Sequence, residues 1–194
     1  MEFVFCTNNA HKLHEVAQIL GNAYAYKTLQ DIGYLQDIPE PFDTLEENSF
    51  TKANQVFQHT KKNCFAEDTG LFIEALHGEP GVFSARYAGE SANSEMNIQK
   101  VLTKLMGIEN RKAYFKTIIT LLLDGDMHQF IGICNGRITN EKFGEGGFGY
   151  DPFFVPDGYT QSFAELDAKI KNNISHRKKA FDAMAAFLDL KMNT

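Results

Sequence analysis

The sequence predicts an α/β protein with a mixed β-sheet flanked by helices, and three observations carry that prediction. An apolar run at residues 3–6 is followed by a polar turn and then by apolar residues at helical spacing, which reads as strand, turn and helix. A second run, Cys64-Phe65-Ala66, stops at Glu67-Asp68-Thr69-Gly70, as a buried strand does when its end delivers polar groups into a loop, the place where open α/β sheets put their chemistry. Two stretches rich in β-branched and aromatic residues, 113–123 and 127–134, meet at Asp124-Gly125-Asp126, a hairpin signal. The hairpin adds long antiparallel strands, and the sheet is therefore mixed.

Composition bounds the function. The 194 residues suffice for one sizeable core or two closely joined lobes, and no shift in composition separates a second domain, so residues 1–194 are read as a single domain. A formal charge of -6 and a pI near 5.5 exclude a broad nucleic-acid footprint, which needs a basic stripe. A small anion needs only a local group of Lys and Arg. Cys6, Cys64 and Cys134 are far apart and each lies in an apolar run, as buried, reduced thiols do. The N-terminus enters a strand without a basic leader and no apolar run approaches the length of a membrane span, so the expectation is a cytoplasmic protein.

Along the chain, Leu13, Val16, Ala17 and Leu20 predict the first helix, ended by Gly21-Asn22. The turn before it, Thr7-Asn8-Asn9-Ala10-His11-Lys12, has two readings: a plain capped turn, or a phosphate site in which backbone N–H groups and the helix dipole are joined by Thr7, Asn9 and Lys12. Residues 24–30 suit a second strand, followed by a loop with Pro39 and Pro41. Thr44-x-x-Glu47 opens a helix with Phe50, Ala53, Val56 and Phe57 as its apolar face. There Glu47 either closes a capping box on the Thr44 backbone or binds metal, and Lys52, one turn beyond Asn48, shares that helical face.

After Asp68, Leu71, Ile73 and Ala75 alternate with Phe72, Glu74 and Leu76 as an imperfect strand, broken at Gly78-Glu79-Pro80-Gly81. Arg86, among small and aromatic residues, holds this loop or meets an anion. A helix follows from Ser94 with Ile98, Val101, Leu102 and Leu105 inward. Gly144-x-Gly146-x-x-Gly149 matches a dinucleotide pattern in spacing only, because Gly149 runs into Tyr150-Asp151-Pro152 and a strand-like Phe153-Phe154-Val155 instead of a helix. A glycine run that presents Phe148 and Asp151 to a flat ligand is more economical. Ser162-x-x-Glu165 predicts a short helix. Ser175 predicts the cap of a last one, with Ala180, Phe181, Met184 and Leu188 inward. His176 and Arg177 then stand in a first turn, where the dipole disfavours cations, a mismatch that points to a ligand.

The set resembles the inosine triphosphate pyrophosphatase (Ham1-like) family, enzymes that hydrolyse non-standard purine nucleoside triphosphates to monophosphate and pyrophosphate. The matching segments are Thr7-Asn8-Asn9-x-x-Lys12-x-x-Glu15, Glu47-Asn48-x-x-x-Lys52-Ala53, Glu67-Asp68-Thr69-Gly70-Leu71, Pro80-Gly81-x-x-Ser84-Ala85-Arg86-Tyr87, Gly147-Phe148-Gly149-Tyr150-Asp151-Pro152 and Ser175-His176-Arg177. They stand in family order. Asn8 replaces a glycine common in relatives, and Glu67-Asp68-Thr69 replaces Asp-Asp-Ser; both keep the chemistry of the position.

The resemblance implies an elongated mixed sheet in two lobes with a central cleft, a homodimer, and a nucleoside triphosphate substrate such as ITP, dITP or XTP. It implies Mg²⁺ on Asp68 and Glu47 with Glu67 near, phosphates held by Lys12, Lys52 and the turn at Thr7, Asn8 and Asn9, and Asp68 as base for the attacking water. Phe148 would stack on the purine, Asp151 would accept from its N1–H, His176 and Arg177 would donate to its 6-oxo group, and Lys171 would add a contact. Thr69, Gly149 and Tyr150 complete the substrate-binding segments. The rival readings are a Maf-like pyrophosphatase for other modified nucleotides, which would not need Ser175-His176-Arg177, and a silent 6-oxopurine nucleotide sensor, which would be expected to lose a metal carboxylate.

Overall fold

The structure is a computed structural model and describes residues 2–21, 24–36, 38–89 and 93–192. In chain order the elements are β1 (Glu2–Phe5), α1 (Ala10–Leu20), β2 (Ala25–Thr28), α2 (Leu45–Thr60), β3 (Cys64–Ile73), β4 (Pro80–Gly81), α3 (Ser94–Lys104), β5 (Lys112–Leu123), β6 (Asp126–Ile138), β7 (Phe154–Pro156), α4 (Ala168–Ile174) and α5 (His176–Met192). The strands form one seven-stranded sheet in the order β2-β1-β3-β5-β6-β7, with β4 paired to β3. β1 pairs in parallel with β2 and β3, whereas β4 on β3 and β7 on β6 are antiparallel, so the sheet is mixed. The β5–β6 turn has positive φ at both central residues, 53° at Asp124 and 93° at Gly125, the backbone that a tight two-residue hairpin requires.

The chain divides into two compact units, one of Met1–Asp68, Thr117–Gly132 and Arg177–Thr194, the other of Thr69–Lys116 and Ile133–His176. In the first unit, alternation along the strands sorts two apolar layers. Phe3, Phe5 and Phe65 pack with Val16 and Leu20 of α1 and with Ala180, Phe181, Met184 and Leu188 of α5. Val4, Cys6, Cys64 and Ala66 pack with Ala53 and Val56 of α2. The second unit has its own core, in which Leu71 and Ile73 meet Ile98, Val101 and Leu105 of α3 and Phe115, Phe154 and Phe163.

Several expectations change. β3 does not end at Asp68 but runs on to Ile73, so Glu67 and Asp68 lie within a strand and not in a loop; the ladder continues because Leu71 and Phe72 find antiparallel partners in Gly81 and Pro80. Ala17 is exposed while Glu15 is buried, and Phe50 is exposed while Asn48, Ser49 and Lys52 are buried. β2 is shorter than predicted. Ser162 and Glu165 exchange both bonds of a capping box, at 2.8 and 3.2 Å, yet close only a turn; the helix starts later, at Ala168, under an Asp167 cap. Gly21 does end α1, with φ 51°, and Asn22 lies outside the described residues.

Candidate active site

Adjacent residues of a strand face opposite sides, and this separates the two carboxylates. Glu67 continues the side of Phe65 and reaches α1 and α5; Asp68 continues the side of Cys64 and Ala66 and reaches α2. Glu67 is fully engaged. Arg177 Nε donates to both of its oxygens, at 3.1 and 2.8 Å, and Lys12 Nζ stands 3.3 Å from Oε1. Arg177 Nη1 also donates to Glu15. Burial pushes the Glu67 carboxyl up, but the charges of Arg177 and Lys12 outweigh it and hold the group down at about 2. Glu67 is thus an ionised anchor.

Asp68 has different surroundings. Its Oδ1 accepts from Lys52 Nζ at 2.9 Å, while Oδ2 is buried and receives no hydrogen bond among the described residues. Burial pushes its carboxyl up and, with Glu40 close by, outweighs the opposing charges of Lys52 and Lys12, so Asp68 sits above the usual aspartate range. A carboxylate with a raised proton affinity and one open oxygen can accept a proton or ligate a cation. Lys52 also donates to Glu40 at 2.5 Å, which joins a second carboxylate to the Asp68 side.

Glu40 was not singled out from sequence. The available signal was its place between Pro39 and Pro41, which restrict the loop that presents it. Glu47 is exposed and closes its cap differently from prediction: Thr44 Oγ1 accepts the Glu47 amide at 3.1 Å, and the hydroxyl donates to Glu47 Oε2 at 2.6 Å, so the carboxylate meets a hydroxyl and not the Thr44 backbone. At the turn before α1, Asn9 Oδ1 accepts the Lys12 amide at 3.1 Å, and Thr7 Oγ1 accepts the Asn9 amide at 3.2 Å. Asn8 is exposed. Among the described residues no group of three or more His, Cys, Asp or Glu could hold a metal ion.

The second unit holds the other candidates. Asp151 Oδ2 accepts from the Phe148 amide and from Lys171 Nζ, both at 2.7 Å, and Lys171 Nζ lies 5.3 Å from the Phe148 ring centroid. A Cβ at Gly147 (φ 70°) would come within 2.2 Å of Asp151 Oδ2, so this bend requires glycine. The buried His176 ring stacks on Phe115, with centroids 4.6 Å apart and planes 18° from parallel. Tyr150 donates its hydroxyl to the Ser84 carbonyl at 2.9 Å. Thr69 and Gly149 are half-buried. Arg86 lies over the Phe83 ring, 5.4 Å from its centroid, which favours the loop-holding reading of that residue.

Residues 3–187 match the model of the Ham1 family. The chain is 47% identical to a dITP/XTP pyrophosphatase of Flavobacterium johnsoniae, over 97% of this chain and 98% of that one. It is likewise 47% identical to a dITP/XTP pyrophosphatase of Porphyromonas gingivalis, over 96% and 97% of the two chains. Among solved structures, the Ham1 protein of Staphylococcus aureus superposes with a TM-score of 0.90 at 36% identity, covering 98% of this chain and all of that one.

Proposed function

The chain belongs to the Ham1 family, and from that premise we propose that it hydrolyses non-standard purine nucleoside triphosphates, dITP, ITP and XTP, to the monophosphate and pyrophosphate. The observation that carries the reading is the pair of unlike carboxylates on β3: Glu67 neutralised by Arg177 and Lys12, and Asp68 with a buried oxygen left open. Water attacks the α-phosphorus, its proton passes to the Asp68 carboxylate, and the bond to the bridging oxygen breaks as pyrophosphate leaves. Lys12 and Lys52 supply positive charge for the phosphate oxygens, on which charge spreads in the transition state.

The carboxylates fit a hard divalent cation such as Mg²⁺, since Asp68 keeps one oxygen free of hydrogen bonds and Lys52 ties Glu40 to the same side. Asp68 and Glu40 would hold the ion, which would supply charge neutralisation to the phosphates. Glu40 takes this role in preference to Glu47 because Lys52 joins it to the Asp68 side, whereas Glu47 is exposed and bonded to Thr44.

For the base, Phe148 offers a stacking face, Asp151 an acceptor for N1–H, Lys171 a charge beside that acceptor, and His176 a donor for the 6-oxo oxygen. A 6-amino group would leave that donor unpaired, so ATP is disfavoured. Arg177, committed to Glu67 and Glu15, acts by fixing Glu67 and not by touching the base. The active form is a homodimer. A Mg²⁺-dependent pyrophosphate-release screen over natural, deaminated and other modified triphosphates tests the reading: fastest release from ITP and XTP is expected. A preference for modified pyrimidines would favour the Maf-like alternative, and nucleotide binding without turnover would favour a sensor.

A further inference from the structure

The turn after β4 is held by buried hydrogen bonds to which the substrate reading gives no role. The Ser84 hydroxyl accepts the Leu71 amide at 2.8 Å and donates to the Gly81 carbonyl at 2.6 Å, so one side chain closes the junction of β3 and β4. The junction is tight: a Cβ at Gly70 would stand 2.5 Å from the Gly81 oxygen. The Ser84 carbonyl accepts twice, from the Tyr150 hydroxyl at 2.9 Å and from Asn97 Nδ2 at 3.4 Å. Asn97, from α3, also donates to the Ala85 carbonyl at 2.9 Å and accepts the Ala88 amide at 2.6 Å, which fixes the turn at 84–88.

Tyr150 is buried, its hydroxyl is committed to the Ser84 carbonyl, and burial keeps that hydroxyl protonated as a donor. It stands between Phe148 and Asp151, whose backbones are tied by the Asp151 amide on the Phe148 carbonyl at 3.2 Å. Any shift of Tyr150 therefore moves the stacking ring and the carboxylate together.

We propose that Ser84 and Tyr150 are positioning residues for purine selection: Ser84, fixed to β3 and β4, holds the Tyr150 hydroxyl, and Tyr150 sets where Phe148 and Asp151 stand. The proposal rests on the nucleotide reading above and reassigns Tyr150 from substrate contact to support. Tyr150→Phe keeps the ring and removes only the O–H, so it retains the packing. Steady-state kinetics with ITP and ATP are compared for wild type, Tyr150→Phe, Ser84→Ala and the double variant, beside thermal unfolding. For Tyr150→Phe the KM for ITP should rise roughly fivefold with little change in kcat, the scale of one neutral hydrogen bond. The ITP to ATP ratio of kcat/KM should fall by a similar factor. The double variant should be no less selective than the worse single one, because both act through one network.

A network that only supports the fold would lower the melting temperature and leave KM and the ratio unchanged, and that outcome for Tyr150→Phe overturns the proposal. The wild type separates the two possible failures. No preference for ITP in the wild type removes the nucleotide reading together with this proposal; a wild-type preference that survives intact in Tyr150→Phe removes the positioning role alone.

Discussion

Two neighbouring carboxylates on one strand differ in charge state and in free hydrogen-bonding capacity because the pleat sends them to different partners. Asp68→Asn keeps the shape and the bond to Lys52 but cannot take a proton, so hydrolysis of ITP should fall by at least about 10²-fold, the range typical of general-base loss, with the melting curve little changed. Near wild-type turnover would exclude Asp68 as the base. Arg177→Ala makes a different prediction. It leaves Glu67 and Glu15 as buried carboxylates deprived of the charge that neutralises them, a loss of about 3–5 kcal/mol by comparison with other broken buried pairs. Urea unfolding at neutral pH measures it. A loss below about 1 kcal/mol would mean that Arg177 is not the clamp on Glu67, and would return it to the base-reading role suggested by its place at a helix start.

At the scale of the element, helices α1 and α2 show what periodicity could and could not reveal. Both were legible as helices, and α2 starts where its Thr44 cap predicts, whereas α1 starts at Ala10, inside the stretch read as a turn, because Asn9 caps it by accepting the Lys12 amide. Their inward faces were misread by a residue or two, with Ala17 and Phe50 taken for core. A helix that buries Glu15, or Asn48 and Lys52, places paired and hydrogen-bonded polar groups on the face where hydropathy expects apolar ones, and the pattern shifts toward the nearest apolar neighbour. The carboxylate pair, the glycine bend and the His-Arg step stood out because their residue types are costly in such places, and the structure sets Glu67 on Arg177, Gly147 against Asp151 and His176 on Phe115. Glu40 did not, because its pairing comes from a loop brought to Lys52 by tertiary folding. The loop makes its own prediction: Glu40→Gln should raise the Mg²⁺ concentration needed for half-maximal ITP hydrolysis severalfold, whereas Glu47→Gln should leave it nearly unchanged. A larger shift for Glu47→Gln would restore the assignment made from sequence.

At the scale of the whole molecule, the chain carries a formal charge of -6 and acts, on the reading above, on a polyanion. The cations nearest the chemistry do not make a broad attractive field, because each is already set against a carboxylate: Lys12 against Glu67, Lys52 against Asp68 and Glu40, Arg177 against Glu67 and Glu15. The formal charge therefore gives no reason to expect the long-range attraction that steers ligands to basic proteins, and its sign opposes the approach of a triphosphate. Salt screens that repulsion over about 10 Å at 0.1 M while acting much less on buried pairs. At saturating Mg²⁺, kcat/KM for ITP should stay level or rise as ionic strength is raised from about 20 to about 200 mM, the opposite of a protein that captures nucleotides with a basic patch. Stopped-flow or initial-rate measurements at constant free Mg²⁺ decide it. A severalfold fall would show that locally exposed cations govern encounter and that the carboxylate partners of Lys12 and Lys52 are released before the substrate arrives.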